Sequence, residues 1–214
     1  MPHLVIALDG PAASGKGTLA RKLAEHFNLN LLDTGALYRA VGWSVLHEGG
    51  DPTNEIDAVK AAKNLENINL TNPELRTESI GAAASKVASM PSVRQLLVDF
   101  QRHFAENPPA DKEGTILDGR DIGTVICPNA KVKIFITADV KTRAKRRFLE
   151  EFGNKGSDQE YLNILADLKA RDERDMTRSA SPLKQAENAH LIDTTNSDIE
   201  AVFEATRKIV SSVA

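Results

Sequence analysis

The densest chemistry in the 214-residue chain lies near its start. Gly10-Pro11-Ala12-Ala13-Ser14-Gly15-Lys16-Gly17-Thr18 directly follows the apolar run Leu4–Leu8 and Asp9. Its spacing is G-x-x-x-x-G-K, which marks a phosphate-binding loop when it lies between a strand and a helix. Gly10 and Gly15 open backbone conformations closed to residues with a Cβ. Successive N–H groups can then face one concavity and hold phosphate oxygens. The helix that begins near Lys16 adds free N–H groups and the positive end of its dipole. Lys16 supplies a mobile point charge for the outer phosphates. Glycine-rich turns between strand and helix also occur without ligands, but seldom with lysine at this spacing.

Further charged groups sit where strands and helices end. Thr115-Ile116-Leu117 leads into Asp118-Gly119-Arg120-Asp121. An apolar strand ending in aspartate, downstream of a phosphate loop, is the pattern of the carboxylate that holds a hydrated magnesium ion. Arg39 lies one turn into a helix leaving the second strand, at the sheet edge where α/β proteins bind ligands. Arg171, Arg174 and Arg178 share one helical face and could converge on phosphates; their alternation with Asp172, Glu173 and Asp175 also fits a salt-bridged surface helix. Arg143 and Arg147, four residues apart, share a face as well. They are candidates for ATP contacts or for a solvated basic face, and Lys145 and Arg146 read as the latter.

Positioning these groups requires an α/β framework. Leu4–Leu8 is a short apolar run of buried-strand type, and Leu31-Leu32, Thr115–Asp118, Val132–Ile136 and Ala189–Asp193 read as further strands. Helical spacing predicts helices over Thr18–Phe27, Thr34 to about His47 with Thr34 as its cap, Glu55–Glu66, Glu78–Ser89, Ser92–Glu106, Val140–Phe152, Glu160–Asp175 and Asp198–Val213. A brief strand is expected near Ile68–Leu70. Alternation of strand and helix implies a parallel sheet wound with helices. Residues 34–107, helix after helix, read as an insert over the sheet, and 153–181 as a hinged segment.

Composition bounds the function. Hydrophobic residues are 41% and charged residues 27%, with net charge −3, which argues against a globally basic nucleic-acid binder. The single Cys127 excludes an internal disulfide. No run approaches the roughly 18 apolar residues of a membrane span, and Leu4–Leu8 is too short for a secretory segment. The expectation is a cytoplasmic monomer acting on small molecules, without nucleic-acid or membrane partners.

Four segments in order, G-K-G-T, L-L-D-T-G-A-L-Y-R, L-D-G-R-D-I-G-T and R-D-E-R-D-M-T-R, resemble the bacterial cytidylate kinases, from about Val5 to the final helix. The displaced hydroxyl, Gly17 before Thr18, itself resembles nucleoside monophosphate kinases. The resemblance implies an α/β P-loop kinase fold: a five-stranded parallel sheet flanked by helices, with a helical monophosphate-binding insert (34–107) and a lid (153–181) on a core of 1–33, 108–152 and 182–214. Only Asn67–Leu75 precedes Arg76-Thr77, a shorter insertion than the family usually carries. The implied activity is transfer from ATP to CMP or dCMP. Gly10 to Thr18 would bind ATP with Arg143 and Arg147. Thr34 and Arg39 would contact the acceptor nucleotide and Arg120 its phosphate. Ser85, Arg94 and Asp121 would read cytosine, Arg171 and Asp175 the sugar. Arg174 and Arg178 would clamp phosphates. Lys16, Arg120, Arg174 and Arg178 would neutralise the transferring group, and Mg2+ would be held through water near Thr18 and Asp118. Base chemistry agrees, since a carboxylate accepts from the cytosine amine and an arginine donates to N3 or O2. Rival readings are another small-molecule kinase of this fold, or a GTPase-like switch. The latter wants N-K-x-D and a hydroxyl directly after Lys16, where Gly17 stands.

Overall fold

The computed structural model describes residues 3–65 and 69–213. Five strands form one parallel sheet in the order β2-β3-β1-β4-β5. They are β1 (Leu4–Asp9), β2 (Leu29–Asp33), β3 (Gly114–Gly119), β4 (Val132–Thr137) and β5 (His190–Asp193). β1 is central, with Leu8 opposite both Asp118 and Ile134. Parallel strands need crossovers, and the sequence supplies them as helices that cover both faces. Side chains alternate accordingly. Ile6, Leu8, Ile116 and Ile134 pack on one face with Leu19 and Leu23 of α1 (Lys16–His26) and Val202 and Val210 of α8 (Ile199–Ser211). Ala7 and Leu117 pack on the other with Leu37 and Val41 of α2 (Thr34–His47), Ala58 of α3 (Glu55–Lys63), Val87 of α4 (Glu78–Val87) and Leu97 of α5 (Pro91–Glu106). A smaller cluster joins Ala12 of the glycine loop to Ala144 of α6 (Val140–Phe152) and to Ile164 and Leu168 of α7 (Asp158–Thr177).

Several boundaries differ from expectation for local reasons. Asp33, not Thr34, caps α2: its carboxylate accepts from the Ala36 N–H at 3.3 Å, while the Thr34 hydroxyl donates to the Asp118 carbonyl at 2.8 Å. α7 starts earlier because Ser157 and Glu160 form a reciprocal capping box. α3 ends at Lys63. Of the brief strand expected near Ile68–Leu70, Ile68 lies outside the described residues, Asn69 is irregular and Leu70 lies in a turn. A π-helical turn, Ile122–Ile126, follows β3 where only a loop was expected. Asp9, Asp33 and Asp118 all stand at C-terminal strand ends, the edge where open α/β sheets bind ligands.

Candidate active site

The glycine loop leaves β1 and enters α1. Gly10 has φ +148°, and a Cβ there would lie 2.0 Å from the Ile136 carbonyl oxygen, so only glycine fits. Gly15 stands at the head of α1 in the left-handed region, φ +88°. Lys16 is buried, and its Nζ donates to the Pro11 carbonyl at 2.8 Å, curling the side chain over the loop. Asp118 Oδ1 lies 3.9 Å from that Nζ. Burial, with Arg120 nearby, lowers Lys16 to about 8 against the opposing pull of Asp118. Burial likewise pushes the Asp118 carboxyl up, against Lys16. Removing both charges from water disfavours both, so the pair is poised to gain from a polyphosphate and its counterion.

A second set of side chains lines a cleft beyond the loop. Thr34, Tyr38, Ser85, Arg94, Arg120, Asp121, Arg171, Asp175 and Arg178 meet there, drawn from α2, α4, α5, the end of β3 and α7. Arg94 Nη2 donates to Asp121 Oδ2 in a buried ion pair, and its Nη1 to the Ala88 carbonyl at 3.1 Å. The Arg94 guanidinium stands 5.4 Å from the Tyr38 ring centroid. Arg120 Nε donates to Asp175 Oδ2 at 3.3 Å, and Arg171 lies 3.9 Å from the same oxygen. Arg178 lies 3.9 Å from both Asp121 and Asp175. Burial, then Arg120, with Arg39 and Arg147 adding, lowers Arg171. A Cβ on Gly81 would lie 3.4 Å from Arg39 Nη1 and 3.6 Å from Arg171 Nη1, so these two cations share one corner. Three guanidiniums around the Asp175 carboxylate, those of Arg120, Arg171 and Arg178, form a site for anionic oxygens.

Four buried polar atoms in this cleft have no hydrogen-bond partner among the described residues: Tyr38 Oη, Arg94 Nε, Arg171 Nε and Arg178 Nη2. Buried polar groups are almost always paired, so orphans gathered in one cleft mark where a ligand's acceptors belong.

Other anticipated residues are placed differently. Arg174 Nε donates to the Ser85 hydroxyl at 3.0 Å, tying α7 to α4. Arg143 is buried behind the glycine loop, donating to the Ala12 carbonyl at 3.1 Å, the Ala138 carbonyl at 2.8 Å and the Asp172 carboxylate. It braces the loop rather than facing its concavity. Arg147 pairs with Glu151 at 2.5 Å. Arg39 Nη1 donates to the Leu75 carbonyl at 2.8 Å. Thr18 accepts from Arg21 at 3.3 Å and lines a separate cleft, whereas Gly17 is the α1 residue facing Asp118, with 3.6 Å from a built Cβ to Oδ2.

A family model described as Cytidylate kinase matches residues 6–212. The chain belongs to the cytidylate kinase family. It is 53% identical over 206 residues to the "Cytidylate kinase" of Bartonella bacilliformis, covering 96% of this chain and 93% of that one. It is 51% identical over 210 residues to that of Rhodopseudomonas palustris, covering 98% and 97%. Among solved structures, an uncharacterized protein from Eubacterium ventriosum shares the fold at TM-score 0.54 and 17% identity, over 98% of this chain and 99% of that one. The chain is therefore a nucleoside monophosphate kinase on an α/β P-loop fold. No helix among the described residues is long and apolar enough to cross a membrane.

In this cytidylate kinase family member, residues that its sequence did not single out also lie beside the loop and at the strand ends. Arg146 lines the cleft beside the glycine loop with Ser14, Thr194 and Ser197, its guanidinium held by the Thr194 hydroxyl at 3.0 Å. Thr194 directly follows β5, and strand-end position was the available signal. Asp33 pairs in register with Asp118, setting a second carboxylate at the same edge.

Asp9 is the other unanticipated group. Its buried carboxylate accepts from the Ile122 and Gly123 N–H groups, each at 2.8 Å. Burial raises it to about 7, against those two bonds. The unfolded carboxyl titrates near 3.8, so the folded kinase binds this proton more tightly. Its favourable contribution is full below pH 4 and is lost as pH rises to about 7. The stability of the wild type relative to Asp9→Asn should therefore fall between those values, by at most about 1.4 kcal/mol per pH unit. Denaturant titrations at stepped pH check this; a difference that stays flat from pH 4 to 7 would count against it.

Proposed function

We propose that the kinase transfers the γ-phosphoryl of ATP to CMP and dCMP, giving ADP and the cytidine diphosphate. The observation that supports this most is the buried Arg94–Asp121 pair in the second cleft, beside the orphaned donors of Arg171 and Arg178. Asp121 offers an acceptor for the cytosine amine, and Arg94 has a donor to spare for N3 or O2. Uracil would set its carbonyl against the carboxylate, leaving two acceptors opposed in a desolvated site. That mismatch costs about 1–3 kcal/mol or more. Ser85 shares the base end of the cleft, Arg171 and Asp175 face the sugar, and Arg39 and Arg120 face the phosphate, with Thr34 beside them.

The donor phosphates lie on the loop Gly10–Thr18, and the donor nucleoside extends into the cleft lined by Thr18, Arg146 and Thr194. Arg143 holds that loop from behind. An acceptor phosphate oxygen, already ionised at neutral pH, forms the new P–O bond as the bond to the β-phosphate oxygen breaks. No general base is needed, so catalysis is in-line positioning plus charge neutralisation by Lys16, Arg120, Arg174 and Arg178. The fit to Mg2+ rests on the donor set. Asp118, beside Lys16, and its register neighbour Asp33 offer hard carboxylate oxygens at one sheet edge and would hold the ion through water. The ion they hold would supply counter-charge to the donor phosphates.

We further infer a division of labour between a core (1–33, 108–152, 182–214), an acceptor insert (34–107) and a lid (153–181). The acceptor cleft contains about 40 Å³ of free space, room for a few waters and not for a nucleotide. Entry of CMP therefore requires α7 to separate from α4 and α5, and their return excludes water from the transferring group. Steady-state assays with CMP, dCMP, UMP, AMP and shikimate test the reading. CMP should exceed UMP in kcat/KM by at least about tenfold. Preference for UMP, or for a non-nucleotide alcohol, would overturn it.

A further inference from the structure

Asp121 precedes the π-helical turn Ile122–Ile126 and stands at its N-cap position, yet its side chain makes no capping bond. An aspartate there ordinarily turns back to accept from the N–H of the second or third residue of the turn. Asp121 points elsewhere, to Arg94 and the acceptor cleft. The task is taken by a residue far away in sequence. Asp9, 4% exposed, accepts from the first two N–H groups of the turn with one carboxylate oxygen each, both at 2.8 Å.

We propose that Asp9 is a positioning residue for cytosine recognition, capping the turn after Asp121 so that the Asp121 carboxylate stays free to face the acceptor base. This rests on the reading of Asp121 as the base acceptor. The turn is held on its other side as well: the Ile122 side chain is fully buried, and a Cβ on Gly123 would meet the Lys133 stem at 3.2 Å and Asp9 Oδ2 at 3.4 Å. Without Asp9 two buried N–H groups lose their acceptor. The carboxylate placed to cap the turn in the usual way is Asp121, the N-cap residue itself, which could accept from the Gly123 N–H. Capture of Asp121 by the turn would withdraw it from the cleft. Asp9 is also the residue before Gly10, so one side chain spans from the base of the donor loop to the acceptor-reading segment.

The test is steady-state kinetics of the full-length Asp9→Asn variant with CMP, UMP and ATP varied in turn. Asn keeps the shape but offers one acceptor oxygen, and turns an N–H2 toward the second N–H. The KM for CMP should rise about tenfold and the CMP-over-UMP preference fall about tenfold, with the KM for ATP within about twofold of wild type. A merely structural defect would weaken both substrates alike and leave the preference intact, and either of those results would overturn the proposal. The underlying reading has its own control: a wild type without preference for CMP sinks the base site itself. A discriminating wild type beside an equally discriminating variant sinks only the role of Asp9. If Asp9→Asn does not fold, Asp9→Glu is read the same way. Failure of both to fold would make Asp9 a stability residue and overturn the proposal.

Discussion

Replacing Asp121 by alanine should raise the KM for CMP about a hundredfold while changing the KM for ATP by no more than about twofold. The magnitude follows from its surroundings. Asp121 is 4% exposed and forms a buried pair with Arg94, with Arg178 3.9 Å away. Truncation removes the acceptor for the cytosine amine and also leaves Arg94 as an uncompensated buried cation. Breaking a buried pair in this way costs about 3–5 kcal/mol of folding stability. A fall in melting temperature is therefore part of the expected result, and the kinetics belong at a temperature where the variant is folded. Asp121→Asn separates the two effects. It keeps volume and one acceptor oxygen, and its amide can donate to the uracil carbonyl. The ratio of kcat/KM for CMP over UMP should then drop about tenfold or more, through gain with UMP as well as loss with CMP. Equal weakening of CMP and ATP would place Asp121 at the cation beside the donor phosphates and remove it from the base site.

The loop around Lys16 was legible because its chemistry is local. Two glycines, a lysine and a preceding apolar strand lie within fifteen residues, and backbone geometry does the rest. The strands were legible for a similar reason: Ile6, Ile116 and Ile134 sit in apolar runs buried on both faces, so pattern and environment coincide. What failed to show were pairings across long separations. Nothing near Asp9 in sequence indicates a turn 113 residues away, nor does anything near Arg143 indicate the back of Ala12, 131 residues distant. Arg146 looked like a solvated cation because helical spacing alone cannot tell which face meets the end of β5. Thr34 was read as a cap because threonine is a good one. Asp33, one residue earlier, is better placed, and the register with Asp118 draws the Thr34 hydroxyl to that neighbouring carbonyl. Residue type proposed the roles, and tertiary placement allotted them.

Lys16 carries the second large effect. Lys16→Met should lower turnover about 10²–10³-fold, the loss typical of removing one preorganised donor from a developing charge. CMP affinity, measured by calorimetry without ATP, should stay within about threefold, because Lys16 belongs to the loop and not to the acceptor cleft. Lys16→Arg should not rescue. The lysine stem is tightly housed, with its Cδ 3.2 Å from a Cβ built on Gly10, and its ammonium is set by a single bond to the Pro11 carbonyl at 2.8 Å. A planar fork needs more width and cannot reproduce a compact charge at that point. Folding stability should fall by no more than about 1–3 kcal/mol in Lys16→Met, the cost of leaving the Pro11 carbonyl without its donor; with Asp118, 3.9 Å away, the ammonium makes no hydrogen bond. Asp118 loses the charge that opposes its desolvation, so its carboxyl should titrate still higher. A variant that kept near wild-type turnover would mean that the phosphate concavity works through its backbone N–H groups alone. One that lost CMP binding as severely as turnover would show that donor and acceptor sites are not separable at this residue.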